Sequence, residues 1–193
     1  MKSDFNSLIL QTQRFVDEAF KQHPDFSFND WRVMAEHSGT VKDLALEIAE
    51  TLECNKKVLA ISALLHDIGK TYPADHDTLH TEHESFNWQV SEEFLKNLDL
   101  SPEELDQIKS LILFESEAVE MKIIKDADAL AFFKDKRLYM LFINWAKDNN
   151  LDWAIQRKID KYHKLNFEIS RQLGEAWWQQ MQDDWQAFNI QLH

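Results

Sequence analysis

Leu64-Leu65-His66-Asp67-Ile68-Gly69-Lys70 is the stretch on which the reading of this chain turns. Upstream, Val58-Leu59-Ala60-Ile61-Ser62-Ala63 is helix-forming and almost free of polar atoms. A histidine and an aspartate therefore arrive together at the end of a helix with the composition of a core element. An unpaired buried charge costs several kcal/mol, so the two groups need a partner. A divalent cation satisfies both. Gly69 follows, and glycine leaves a helix in a left-handed conformation without steric penalty, so that conformation is expected here. Of the three glycines, Gly39 and Gly69 each lie two or three residues after a histidine, which predicts backbone freedom near a site.

Three Gly and three Pro stand against 44% hydrophobic residues, and strand-type alternation is nearly absent, so the chain reads as all-α. No stretch is long or polar enough for a linker. The 193 residues are expected to form one domain, with a motif-bearing core at about 30–134 and C-terminal helices at 136–191 packing on it. A formal charge of −13 argues against a nucleic-acid polymer as partner, because such binding rests on many Lys and Arg contacts. A small anionic substrate is still compatible, since a bound metal reverses the local field. Cys54 is the only cysteine, which excludes an internal disulfide and a thiolate zinc site. With no apolar run of membrane length and no signal-peptide core after Met1, a soluble cytoplasmic protein without a membrane partner is expected.

Helical periodicity runs along most of the chain. A first amphipathic helix is expected from Ser3, as N-cap, to about Gln22, and a second from near Phe28-Asn29-Asp30. His37 lies four residues after Val33 and four before Val41, on the apolar side of the second helix. Asn55 opens the helix that ends at His66-Asp67. Thr71 to Thr81 reads as the longest loop, and with His83 just beyond it supplies Asp75, His76, Asp77 and His80. Helices follow at about 82–98 and 101–115, the second opened by Ser101-Pro102-Glu103-Glu104. In Lys125-Asp126-Ala127-Asp128-Ala129-Leu130, Asp128 shares its helical line with Ile124, Ala131 and Phe132, which makes it the better inward acid; the alternative is a helix-start cap by Asp126 with Asp128 solvated. After Leu138 to Trp145, one long helical pattern is expected from about Asp152 to Gln191. Its stripe of Trp177, Met181, Trp185 and Phe188 reads as core, with a homodimer seam as the alternative.

His37, His66, Asp67 and Asp128 together offer two imidazoles and two carboxylates from three helices. Such a set suits Mn, Fe, Co, Ni, Zn or Mg, and on a six-coordinate ion it leaves two positions for a water and a substrate oxygen.

Three segments carry a resemblance. Glu36-His37-Ser38 followed by Val41 and Ala45, then Ala63 to Lys70, then Lys125 to Leu130 resemble the three signatures of the HD-domain superfamily of metal-dependent phosphohydrolases, in order. The resemblance implies an all-α helical bundle with the metal held between core helices by His37, His66, Asp67 and Asp128. The Glu-His-Ser wording is similar to HD-type 5′-deoxynucleotidases, but Lys70 stands where those carry a catalytic glutamate. The His-Asp-Ile-Gly-Lys wording is similar to the cyclic-dinucleotide phosphodiesterase branch, whose Gly-Tyr-Pro segment is missing. Many relatives carry a histidine before the last aspartate as part of a second metal site. Residues 111–116 hold none, so one ion per chain is favoured, with His80 or His83 as the residue that would recruit a second across Asp67.

The expected reaction is hydrolysis of a phosphate ester or anhydride in a small metabolite, a nucleotide phosphomonoester or phosphodiester above all, by a metal-activated water. Asp67 would take the water's proton, Lys70 would pair with the phosphate, and His83 or His80 would protonate the leaving oxygen. Arg32 and Lys134 are candidate substrate contacts, and Glu115 stands where relatives place a ligand. Two alternatives come from other classes: a di-iron oxygenase on the same fold, and a metabolite-binding regulator without turnover.

Overall fold

Residues Val58 to Leu65 are each 1% exposed or less, so the helix they form, α3 (Lys56–Leu65), has no solvated face. A helix apolar on every side must be surrounded, and α1 (Phe5–Gln22), α2 (Arg32–Ile48) and α5 (Pro102–Ile112) pack around it. The structure is a computed structural model describing residues 4–23, 28 and 30–187, without the side chains of His76, Asp77, His80, Asp152 and Ala187. Nine α-helices and no strand occur among the described residues, and the chain is all-α. Contacts group it into two units, Met1–Ile124 and Lys125–His193, with the boundary inside one helix, α6 (Val119–Lys134).

Caps set the helix starts in the first unit. Asp4 accepts from the Ser7 amide at 2.9 Å and is the N-cap of α1; the expected cap, Ser3, lies outside the described residues. Asn55 accepts from the Val58 amide, and Ser101 with Glu104 forms a reciprocal capping box, each worth about 1 kcal/mol. Asp75 accepts from the Thr78 amide at 3.0 Å and starts α4 (His76–Lys96) six residues earlier than periodicity placed it. The expected loop from Thr71 to Thr81 is thus half helix, because an aspartate cap outweighed the polar composition after it.

The end of α5 holds an unusual residue. The Glu115 amide donates to Ser110 O at 3.0 Å and the Phe114 amide to Leu111 O at 3.1 Å, the reciprocal bonds that close a helix through a left-handed residue. That residue is Phe114, at φ 58°, where glycine is usual. A side chain there costs about 1 kcal/mol, so Phe114→Gly is expected to raise the thermal midpoint by about 2–4 °C in a scan followed by circular dichroism.

The second unit holds α7 (Lys136–Asp148), α8 (Asp152–His163) and α9 (Glu168–Ala187), not one long helix from 152. The break at 164–167 is held by Asp126. Its carboxyl group, 1% exposed, accepts from the Asn166 amide at 2.8 Å, the Asn166 side chain at 2.7 Å and the Phe167 amide at 3.1 Å. Asp126 is therefore the more buried of the two acids, which corrects the helical-line reading; Asp128 is half-buried. Asp126→Ala leaves three donors beside a buried gap. A loss of about 3 kcal/mol or more is expected, seen as a midpoint about 6–12 °C lower, and an unchanged melt would contradict this role. The core line of α9 is Gly174, Trp178, Met181 and Trp185, with Trp178 stacked on Tyr162 at 4.4 Å. Trp177 lies one position off it, under the Lys134 ammonium at 5.1 Å, and Phe188 is outside the described residues.

Candidate metal centre

His37 sits mid-way along α2 on the apolar line that spacing predicted, and His66 caps the C-terminal end of α3. They are 5% and 2% exposed, with ring centroids 5.5 Å apart. His66 Nδ1 lies 2.8 Å from Ala63 O. A carbonyl only accepts, so Nδ1 carries hydrogen and Nε2 is the atom that would coordinate an ion. Orientation of a histidine through its second nitrogen is the arrangement metal ligands use.

Asp67 follows at φ −117° and ψ 8°, then a 3-10 turn, Ile68–Thr71. Its carboxylate lies between three nitrogens: Lys70 Nζ at 2.5 Å from Oδ2, His83 Nε2 at 3.0 Å from Oδ1, and His66 Nε2 at 3.5 Å from Oδ2. Burial pushes the Asp67 carboxyl up, but Lys70, His66 and the His83 hydrogen bond together hold it well below the usual carboxylate range. The site thus keeps an ionised acid at 6% exposure.

Gly69 has no positive φ, and no described glycine does. The left-handed turn expected there is absent, and the reason for glycine is proximity. A Cβ on Gly69 would stand 2.0 Å from the carbonyl oxygen of His83 and 2.9 Å from the Asn87 amide. The turn lies directly on the backbone of α4, and that is what brings His83 to Asp67. His83 is held on the helix by Nδ1, 3.0 Å from Leu79 O.

Lys70, expected on the phosphate, is placed on Asp67. Arg32, the other expected substrate contact, forks onto Asp30 at 2.9 and 3.1 Å with its side chain 61% exposed. Asp128, in the second unit, accepts from Lys161 Nζ at 2.7 Å. His80 belongs to α4, with its side chain outside the described residues, and Glu115 is exposed after α5. Sequence reasoning missed Asn87, a fully buried amide whose one signal was its place four residues after His83.

The described donors fit a divalent ion: two buried imidazoles, one of them oriented by its hydrogen bond to a backbone carbonyl, and a carboxylate kept ionised. A family model described as HD domain matches residues 34–162, more than half of the chain. The chain belongs to the HD domain family. The matched span of this HD domain contains His37, His66, Asp67, His83 and Asp128, and the family places it among metal-dependent phosphohydrolases that bind divalent metals. A Clostridium beijerinckii protein called uncharacterized is similar to this HD domain, 27% identical over 113 residues that cover 58% of this chain and 67% of the relative. No solved structure matches it. No helix among the described residues of the HD domain is long and apolar enough to cross a membrane.

Proposed function

We propose that this HD domain hydrolyses a phosphate ester of a small metabolite, a nucleotide monoester or diester above all, with one divalent ion held by His37, His66, Asp67 and Asp128. The observation that carries this reading is the fixed Nε2 of His66 next to an ionised, buried Asp67. His37 and His66, both buried with ring centroids 5.5 Å apart, supply the two imidazoles of this set. The cation would supply Lewis acidity toward a phosphate oxygen and lower the pKa of water from 15.7 towards about 7.

The side chains divide the remaining work. Asp67, held ionised, orients the attacking water and accepts its proton. Lys70 gives the pocket an ammonium group one helical turn beyond His66, where it can move from Asp67 to a phosphate oxygen. His83, fixed through Nδ1, holds a proton at Nε2 against Asp67 Oδ1 and is the group to pass it to the leaving oxygen. Arg32, at the start of α2, is a second cation for the substrate once released from Asp30.

A second reading comes from the 3.0 Å between His83 Nε2 and Asp67 Oδ1, close to the spacing of adjacent ligands whose bonds to one ion are about 2.1 Å. A second ion bridged by Asp67 would use that pair, and a di-iron oxygenase needs it. Two irons per chain with oxygen uptake would support the oxygenase, and tight nucleotide binding without phosphate release would support a regulator.

The test is elemental analysis of the purified chain, then a phosphate-release screen over nucleotides, sugar phosphates and cyclic dinucleotides with Mn, Mg, Co and Ni. Release by wild type and none by Asp67→Asn is expected for at least one substrate. Equal behaviour of the two across the whole screen refutes the hydrolase reading.

A further inference from the structure

Asn87 is 0% exposed, and three backbone groups converge on its side chain. Oδ1 accepts from the Gly69 amide at 2.6 Å, while Nδ2 donates to His66 O at 2.6 Å and to Ile112 O at 2.7 Å. The orientation of the amide is forced, since reversing it would set an oxygen against two carbonyls and an NH2 against an N–H. His66 is the C-cap of α3 and Ile112 the last residue of α5. Carbonyls at helix ends have no partner within their own helix, and one side chain satisfies both.

Two of those bonds bracket Asp67 in the chain, at His66 O on one side and Gly69 N–H on the other. Asp67 leaves the helix at φ −117° and ψ 8°, and these two bonds fix the backbone on either side of it. Asn87 also lies four residues after His83, on the same face of α4. The helix that brings His83 to the carboxylate therefore also holds the backbone on both sides of that carboxylate.

We propose that Asn87 is the positioning residue of the metal centre: its buried amide holds the His66-Asp67 peptide in the orientation from which both side chains reach an ion. The inference rests on the metal reading of this site. Asn87 touches neither ion nor substrate and acts through the backbone. Removing an outer partner of metal ligands typically weakens metal binding about 10–100-fold, and that is the effect expected here.

The experiment titrates the full chain with Mn(II) and Co(II) by calorimetry, comparing wild type, Asn87→Asp and Leu95→Ala. Asn87→Asp keeps size and the acceptor for Gly69 but sets a carboxylate oxygen against His66 O and Ile112 O. Leu95→Ala, two turns further along α4 and 1% exposed, loosens the same helix without touching the clamp. Binding weakened about 10–100-fold in Asn87→Asp, with Leu95→Ala close to wild type, is the expected result. Equal affinities for wild type and Asn87→Asp overturn the proposal and leave the metal reading standing. A wild-type chain that binds neither ion overturns both. Should Asn87→Asp fail to fold, amide hydrogen exchange on wild type decides: the Gly69 N–H is expected among the most protected amides, and exchange at the rate of a free peptide overturns the proposal.

Discussion

His66→Ala is expected to strip the chain of its ion and of its activity together. The imidazole is 2% exposed, its Nδ1 hydrogen goes to Ala63 O, and Nε2 is what it offers the site. Alanine removes the ligand and the ring nitrogen that faces the Asp67 carboxylate at 3.5 Å. The loss in metal affinity should exceed the roughly 10–100-fold that removal of an outer partner costs, so that metal content of the purified protein falls from near one ion per chain to a small residue. Stability should report the same event. Metal at about 100 times its Kd adds about 2.7 kcal/mol to the folded state, and for a chain of this size that is a midpoint shift of about 5–11 °C. A chelator should therefore lower the melting temperature of wild type by about that amount and leave His66→Ala unmoved. Full metal content in the variant, or a wild type indifferent to the chelator, would end the case for this site.

Gly69→Ala is expected to damage the fold more than alanine at either of the other two glycines. The backbone of Gly69 is one that alanine adopts freely, so conformational strain contributes nothing. The cost is steric: the new methyl would meet the His83 carbonyl at 2.0 Å and the Asn87 amide and Oδ1 at 2.9 Å. Overpacking costs about 1–3 kcal/mol where side chains can move, and the upper end or beyond is expected because here the neighbours are backbone atoms. The midpoint should fall by about 6–12 °C, and α4 should be forced off the turn, separating His83 from Asp67. The other two glycines calibrate the prediction. At Gly174 the methyl meets Leu130 Cδ2 at 2.4 Å, a side-chain end that can give way, so a smaller loss is expected. At Gly39, inside α2, the nearest atom is Gln13 Oε1 at 3.4 Å, and alanine should stabilise by about 0.5–1 kcal/mol. A melting temperature for Gly69→Ala equal to wild type would show that α4 does not lie on the turn.

These three glycines show where the sequence ran out. The spacing of Gly39 and Gly69 after histidines suggested backbone freedom, yet each of the three is present for a packing reason or for none, and packing against α4 is not written in the residues around Gly69. The same holds for the two acids of Lys125 to Leu130. Helical lines ranked Asp128 as the inward one, but burial of Asp126 depends on the corner at Asn166-Phe167, forty residues away in sequence, turning back to meet it. Asn87 is a third case. Its side chain joins groups 18, 21 and 25 residues distant, and no local pattern registers an amide whose partners are all backbone.

The sequence by itself determined the all-α class, the core character of the helix before His66, the inward face of His37 and membership of the HD domain family, because each rests on periodicity or on short motifs read within one element. Only the tertiary structure decided that His83 and Lys70 both reach Asp67, that Gly69 is a contact point and not a left-handed turn, and that Asp126 holds a corner. Those outcomes depend on which backbone atoms of distant segments approach within a few ångströms. Hydrogen bonds and steric contacts vanish over that distance, and local sequence does not encode it.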